Sequence, residues 1–318
     1  MPDPDFRFYD LHPPISDFRG EVLAGLSRDR KALSPKFFYD ERGSRLFDAI
    51  TELPEYYPTR TEIDIIRQNG AAMVERIGRG CQLIELGSGS SIKVRLLLDA
   101  LEPMVYMPVD ISKAHLANSA TALAADFPHL QIHAVCADYS APFLLPELAV
   151  ADRKVAFFPG SSIGNFEPDQ ARTLLARVAR MVGTGGGLLI GVDLKKDAEI
   201  LNAAYNDSQG VTAKFNLNLL ARINRELDGD FDLDRFYHHA FYDADKGRVE
   251  MHLVSETHQS VQVDGRSFGF FAGEGIHTEC SYKYSVEEFG DLARRAGFTP
   301  ADAWLDLDGL FSVHFFTV

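Results

Sequence analysis

From about residue 60 to 195, short apolar runs alternate with stretches whose apolar positions recur at helical spacing. The runs at 81–86, 104–109, 130–135, 154–158 and 187–193 have the length and flanks of buried strands. Between them, 61–77, 92–101, 112–126 and 168–182 carry the helical pattern, with Ser112 as an N-cap and Pro168 in a first turn. Such alternation predicts a parallel sheet with right-handed crossovers.

The pattern then changes. Residues 196–228 read as helical, with Leu201, Tyr205, Phe215, Leu219 and Ile223 on the apolar stripe. Residues 236–283 read as antiparallel strands punctuated by Asp245-Lys-Gly247 and Asp264-Gly265. A capping box, Ser285-x-x-Glu288, opens a short helix that ends at Gly297, and 303–307 pairs with 311–318 around Asp308-Gly309. The expected fold class is therefore α/β. A Rossmann-like sheet domain takes 61–195 and 285–318. A second, smaller α+β domain takes 1–60 and 196–284 and is expected to lid the sheet domain's pocket.

The stretch Cys81-Gln-Leu-Ile-Glu-Leu-Gly87-Ser-Gly89-Ser-Ser-Ile92-Lys93 places a Gly-x-Gly turn between a strand and a helix. That order builds a nucleotide pocket at the carboxyl end of a strand. A dinucleotide fingerprint would need a third glycine where Ile92 stands, and no P-loop motif occurs. The turn thus suits a nucleoside without a pyrophosphate. The second strand ends in Asp110, placed to accept hydrogen bonds from ribose hydroxyls, and the third leads to Asp138-Tyr139, an acceptor and a face for an adenine ring. Together these residues point to S-adenosylmethionine and to a class I methyltransferase sheet.

Composition narrows the partners. The 318 residues are 46% hydrophobic and carry a net charge of -14, which disfavours nucleic acid and anionic membrane. Cys81, Cys136 and Cys280 are widely spaced and the histidines show no paired metal spacing, so no metal is expected. No signal peptide or spanning run stands out, which predicts a cytoplasmic enzyme, expected to be a monomer acting on a small molecule.

Several segments carry a resemblance to a known family. They are Lys36-Phe-Phe-Tyr39-Asp-Glu-Arg-Gly-Ser44, Leu53-Pro-Glu-Tyr-Tyr-Pro-Thr-Arg-Thr-Glu62, Glu85-Leu-Gly-Ser-Gly89, Gly160-Ser-Ser-Ile-Gly-Asn165, Gly210-Val-Thr-Ala-Lys-Phe-Asn216 and Ile223-Asn-Arg-Glu-Leu-Asp228. Across nearly its whole length the chain resembles the bacterial S-adenosylmethionine-dependent L-histidine Nα-methyltransferases, which make hercynine for ergothioneine biosynthesis. The resemblance implies cofactor contacts from Gly87, Lys93, Asp110, Asp138 and Tyr139, with Lys93 either bonding backbone or reaching the methionine carboxylate. It implies amino-acid contacts from Tyr56, Gly160, Asn165 and Tyr205, an imidazole grip from Glu279 and Ser281, a pocket wall from Met251, and Tyr39 near the substrate amine. Residues two apart on a strand point the same way, so one carboxylate and one hydroxyl address both ring nitrogens.

Three other readings compete. Methylation of tryptophan or tyrosine would favour a pocket without Glu279. A nicotinamide-dependent oxidoreductase is opposed by Ile92. A non-enzymatic S-adenosylmethionine sensor would show no turnover with any amine.

Overall fold

The computed structural model describes residues 6–11, 18–89, 92–148 and 153–318. Ser90 and Ser91, in the expected glycine turn, lie outside the described residues, as do 1–5 and 12–17 of the segment given to the second domain. The chain forms two compact units. The first contains 1–13, 58–196 and 282–318; the second contains 14–57 and 197–281.

The first unit is an α/β fold on one eight-stranded sheet. Its strands are β1 (Phe6–Asp10), β2 (Gln82–Leu86), β3 (Val105–Asp110), β4 (Gln131–Cys136), β5 (Lys154–Phe158), β6 (Gly187–Asp193), β12 (Thr299–Leu305) and β13 (Phe311–Thr317). They lie in the order β1-β4-β3-β2-β5-β6-β13-β12. The first six run parallel, and β13 is antiparallel to both of its neighbours. Helices α3 (Tyr57–Ile77), α4 (Ile92–Leu101) and α5 (Lys113–Asp126) contribute Ile65, Met73, Leu97 and Leu116 to one core with Leu83, Tyr106, Phe157 and Leu189 of the strands. Helix α6 (Pro168–Val182) packs on β5, β6 and α9 (Val286–Arg295). The Ser285–Glu288 capping box forms reciprocally at the start of α9. Strand order reverses between β2 and β5, and ligands of open α/β sheets bind at such a switch point.

Two sequence expectations fail in this unit. Residues 1–60 do not belong wholly to the second domain, because β1 adds to the sheet edge, pairing Phe6 to Ile132 and Asp10 to Cys136. Phe6 and Phe8 pack on the core and draw the segment there. The strand expected at 303–307 instead spans Thr299–Leu305, with an irregularity at Pro300/Asp302, while Leu307 is fully exposed. An edge strand tolerates proline and polar residues, which hid its start.

The second unit contains α1 (Phe18–Leu26), α2 (Glu41–Thr51), α7 (Ala198–Tyr205) and α8 (Val211–Glu226). Its strands β7 (Phe236–Asp243), β8 (Arg248–Ser255) and β11 (Gly275–Tyr282) form a sheet in the order β11-β8-β7, and β9 (Gln259–Val263) and β10 (Arg266–Phe270) form a hairpin. Asp264 and Gly265 both have positive φ, 50° and 72°, as a tight hairpin turn requires. Helix α8 packs on α2, β7 and β8. Among the described residues no helix is long and apolar enough to cross a membrane.

Candidate active site

The polar groups of the first unit gather at the carboxyl ends of β2 to β6. Gly87 leaves β2 with φ 71°, and a Cβ there would stand 3.5 Å from the Tyr139 hydroxyl. The positive φ favours glycine at this position and leaves room beside the Tyr139 ring. That ring meets Phe158 edge-on at 5.5 Å, which fixes its plane at the end of β4. Asp110, at the end of β3, accepts from the backbone N–H of Ser112 at 2.8 Å and of Gly89 at 3.2 Å. It therefore braces the glycine turn it is expected to share with a ribose. Its surroundings push the pKa of the carboxyl up through burial, against the pull of those two N–H groups. Asp138 accepts from the Ser140 backbone N–H at 2.9 Å and from the Ser140 hydroxyl.

Lys93, in the first turn of α4, pairs with Glu62 of α3, Nζ to Oε2 at 2.5 Å. Glu62 also accepts from the Gly160 N–H, at 2.9 Å to Oε2 and 3.2 Å to Oε1. Gly160 and Lys93 thus share one carboxylate. Gly160 and Ser161 have φ of 82° and 60°, a sharp turn after β5 that delivers Asn165 on the short helix Ser162–Asn165. The Ser161 hydroxyl accepts from the Asp193 N–H at 2.8 Å and ties that turn to the end of β6.

Glu85 behaves differently from the other acidic residues of the motif. It is buried within β2, accepts from the Tyr106 hydroxyl, and burial pushes its pKa up to about 8. It is a carboxyl of the sheet's core. Asp193, fully buried, is paired with Lys196 at 2.5 Å and Lys283 at 2.7 Å. Burial raises its pKa, but the two ammonium groups, Lys283 foremost, outweigh that and hold it below the usual carboxylate value. These two lysines stand where the chain leaves the first unit and where it returns.

In the second unit, Tyr39 and Tyr56 both flank Phe47, with ring centroids at 5.7 and 6.4 Å. Tyr39 also meets Phe215 of α8. The loop bearing Tyr56 is tied to the loop after Tyr205, because Glu55 accepts from the Ser208 hydroxyl at 2.7 Å and its N–H at 3.1 Å. Tyr205 ends α7, buried, and its carbonyl accepts from His238 Nε2 at 2.8 Å. Asp207 then caps α8 through the N–H groups of Val211 and Thr212.

Glu279 and Ser281 lie on β11, 9% and 4% exposed. Strand alternation puts them on one face and Thr278 on the other. Thr278 donates to Oδ1 of Asn216, which is 0% exposed on α8. Asn216 Nδ2 reaches His238 Nδ1 at 2.9 Å and the His252 carbonyl at 3.1 Å. One amide so joins α8 to β7, β8 and β11 and fixes the strand that carries Glu279. Met251 is buried on β8, on the face shared with Val249 and Leu253 and opposite Glu250 and His252.

Sequence reasoning missed Glu62, Asn216 and the Asp193 cluster. It also missed a gathering of Glu250, His252 and His277, whose ligand atoms lie within 4.8 Å of one another. Glu250 Oε1 already accepts from Arg248 at 2.6 Å and Lys246 at 2.9 Å, and its pKa falls to about 2. Burial raises that pKa, but the bonds from Lys246, Arg248 and His252 outweigh it. A metal ion would meet a carboxylate that two cations already neutralise.

The model of the histidine-specific, S-adenosylmethionine-dependent methyltransferases matches residues 18–318. The chain belongs to this family. A histidine N-alpha-methyltransferase of Mycolicibacterium smegmatis is 42% identical over 301 residues, covering 93% of each chain. The ergothioneine biosynthesis protein 1 of Neurospora crassa is 31% identical over 86% of this chain and 32% of its own length. Among solved structures, the CcbJ methyltransferase of Streptomyces caelestis matches with a TM-score of 0.51 at 15% identity, covering 88% of this chain and 99% of that one. That likeness speaks for the fold alone.

Proposed function

We propose that the protein transfers three methyl groups in succession from S-adenosylmethionine to the α-amine of L-histidine, giving hercynine for ergothioneine biosynthesis. The observation that carries this reading is the 42% identity to the mycobacterial histidine N-alpha-methyltransferase over 93% of both chains. The buried Glu279 and Ser281 on one face of β11 support it, because imidazole needs partners for two ring nitrogens.

In this reading, Asp110 takes the ribose hydroxyls, Asp138 the adenine amino group and Tyr139 the adenine face, with Gly87 letting backbone approach the nucleoside. Lys93 serves the methionine end. Asn165, Tyr56 and Tyr205 hold the carboxylate side of histidine, so the amine stays free to rotate between transfers. Met251 bounds the imidazole pocket. Each transfer is a displacement in which nitrogen attacks the methyl carbon as the carbon–sulfur bond breaks, leaving S-adenosylhomocysteine. The amine must be neutral and in line with the sulfonium. Orientation of this kind can save about 7–11 kcal/mol. Solvent takes the amine proton, with Tyr39 beside it. Aromatic faces accommodate the growing cation.

Mass spectrometry of the enzyme with S-adenosylmethionine and each of the twenty amino acids tests the proposal. A gain of three methyls on histidine alone is expected. Methylation of tryptophan or tyrosine in preference to histidine would overturn it.

A further inference from the structure

We infer that Glu62 is a positioning residue for the methionine carboxylate of the cofactor, acting through Lys93. The inference rests on the reading that the first unit binds S-adenosylmethionine.

Glu62 closes the segment Leu53–Glu62, and it is 0% exposed. Burying a carboxylate is costly unless it is paired and hydrogen-bonded. Here it is both. Lys93 Nζ lies 2.5 Å from Oε2, and the Gly160 N–H reaches both oxygens. Two strands make room for it. A Cβ on Gly191 of β6 would stand 2.3 Å from Glu62 Oε1. A Cβ on Gly160, after β5, would stand 3.3 Å from Lys93 Nζ. The backbone around this carboxylate is therefore pared back on two sides.

Location gives the pair its purpose. Lys93 follows the glycine turn after β2, and Gly160 follows β5, so the pair flanks the point where strand order reverses. The carboxylate is sealed, whereas the Lys93 side chain is 15% exposed. The pair thus shows its cation outward. An ammonium has three donors, and the contact with Glu62 uses one direction of the three. The remaining directions suit an anionic group, and the cofactor's single anion is its methionine carboxylate. Glu62 holds the ammonium from behind and saves the cofactor the cost of ordering a flexible side chain.

The test compares two ligands, S-adenosylhomocysteine and 5′-methylthioadenosine, which lacks the amino-acid portion. Calorimetry is run on wild type, Glu62→Gln, Glu62→Asp, Lys93→Met and the double variant Glu62→Gln/Lys93→Met, with melting curves for each. Glu62→Gln keeps an acceptor for the Gly160 N–H and loses the charge. It is expected to weaken S-adenosylhomocysteine by about tenfold, the scale of one charge-assisted hydrogen bond, and 5′-methylthioadenosine by less than twofold. The double variant should bind no worse than Lys93→Met, since residues acting as a unit are not additive. In turnover, KM for S-adenosylmethionine should rise while kcat stays within about twofold, and Glu62→Asp should recover part of the loss. Equal losses for both ligands, or additive losses in the double variant, would overturn the inference. If Glu62→Gln does not fold, Lys93→Met and Glu62→Asp read the same ligand ratio. A wild-type protein that bound neither nucleoside would instead overturn the functional reading beneath it.

Discussion

The two units arrange their polar groups in contrasting ways. The first is built around glycine turns: Gly87, Gly89 and Gly160 turn with φ of 71°, 47° and 82°, and Asp110 braces the turn at Gly89 by accepting its N–H, while Asp138 accepts from the Ser140 N–H. The second works mainly with side chains. Its candidate residues come from Tyr39, Tyr56, Tyr205, Met251, Glu279 and Ser281, far apart in sequence and held by an aromatic cluster and one buried amide, Asn216. A pocket of glycine turns and strand-end residues suits what all its users share, proposed here to be a nucleoside. A side-chain pocket recognises what sets one substrate apart, and it can change with single substitutions. The difference predicts that cofactor and substrate specificity separate in this protein, and each prediction below strains that separation.

The largest effect should come from Glu279→Ala. Losing a buried hydrogen-bonded carboxylate is worth about 1.5–3 kcal/mol. The kcat/KM for histidine should fall by roughly 10- to 150-fold, chiefly through KM. The affinity for S-adenosylhomocysteine, read by calorimetry, should stay within twofold. A matching loss of cofactor affinity would break the contrast between the units, and unchanged histidine kinetics would remove Glu279 from the site.

Asp110→Ala should act in the opposite sense and more weakly. It removes a ribose partner and also unbraces the turn at Gly89. Cofactor affinity is expected to drop by about tenfold, on the scale of one to two hydrogen bonds. The KM for histidine at saturating cofactor should hold. Wild-type cofactor affinity in this variant would show that the carboxylate serves the turn alone.

The same contrast explains what was legible in the sequence. The first unit's strands and turn could be read because a Gly-x-Gly between an apolar run and a helix is local: β2 was expected at 81–86 and forms at Gln82–Leu86. The edge strand β1 was not legible, since five residues near a terminus carry no period strong enough to announce a strand. Glu62 could have been found. It falls on the apolar stripe of α3 with Ile65, Ile66, Met73 and Ile77, and a carboxylate at such a position needs a buried cation. Asn216 and Thr278 lie 62 residues apart, and nothing in either neighbourhood foretells their hydrogen bond. The second unit's candidates came from family resemblance for this reason: a site made of scattered side chains leaves no local pattern.

Glu85 gives the smallest effect and the finest test, because it stands in the glycine-turn motif of the first unit yet belongs to its core. Its pKa rises from 4.5 to about 8, burial being the main cause, with the Tyr106 hydrogen bond pulling the other way. An unfolded chain releases this proton near the ordinary value, while the folded chain holds it to about pH 8. Between those values the folded state binds more protons, so raising pH favours unfolding. The contribution to stability is complete below the unfolded pKa, declines through neutrality and is gone above the folded one. Glu85→Gln keeps an acceptor for the Tyr106 hydroxyl and has no proton to lose. Melting temperatures of wild type and Glu85→Gln should therefore diverge as pH rises from 5 to 8, with the variant gaining relative to wild type, while cofactor affinity at pH 7 changes little. A constant difference across that range would mean that Glu85 is ionised in the fold. The motif's acid would then carry its charge into the core of the sheet.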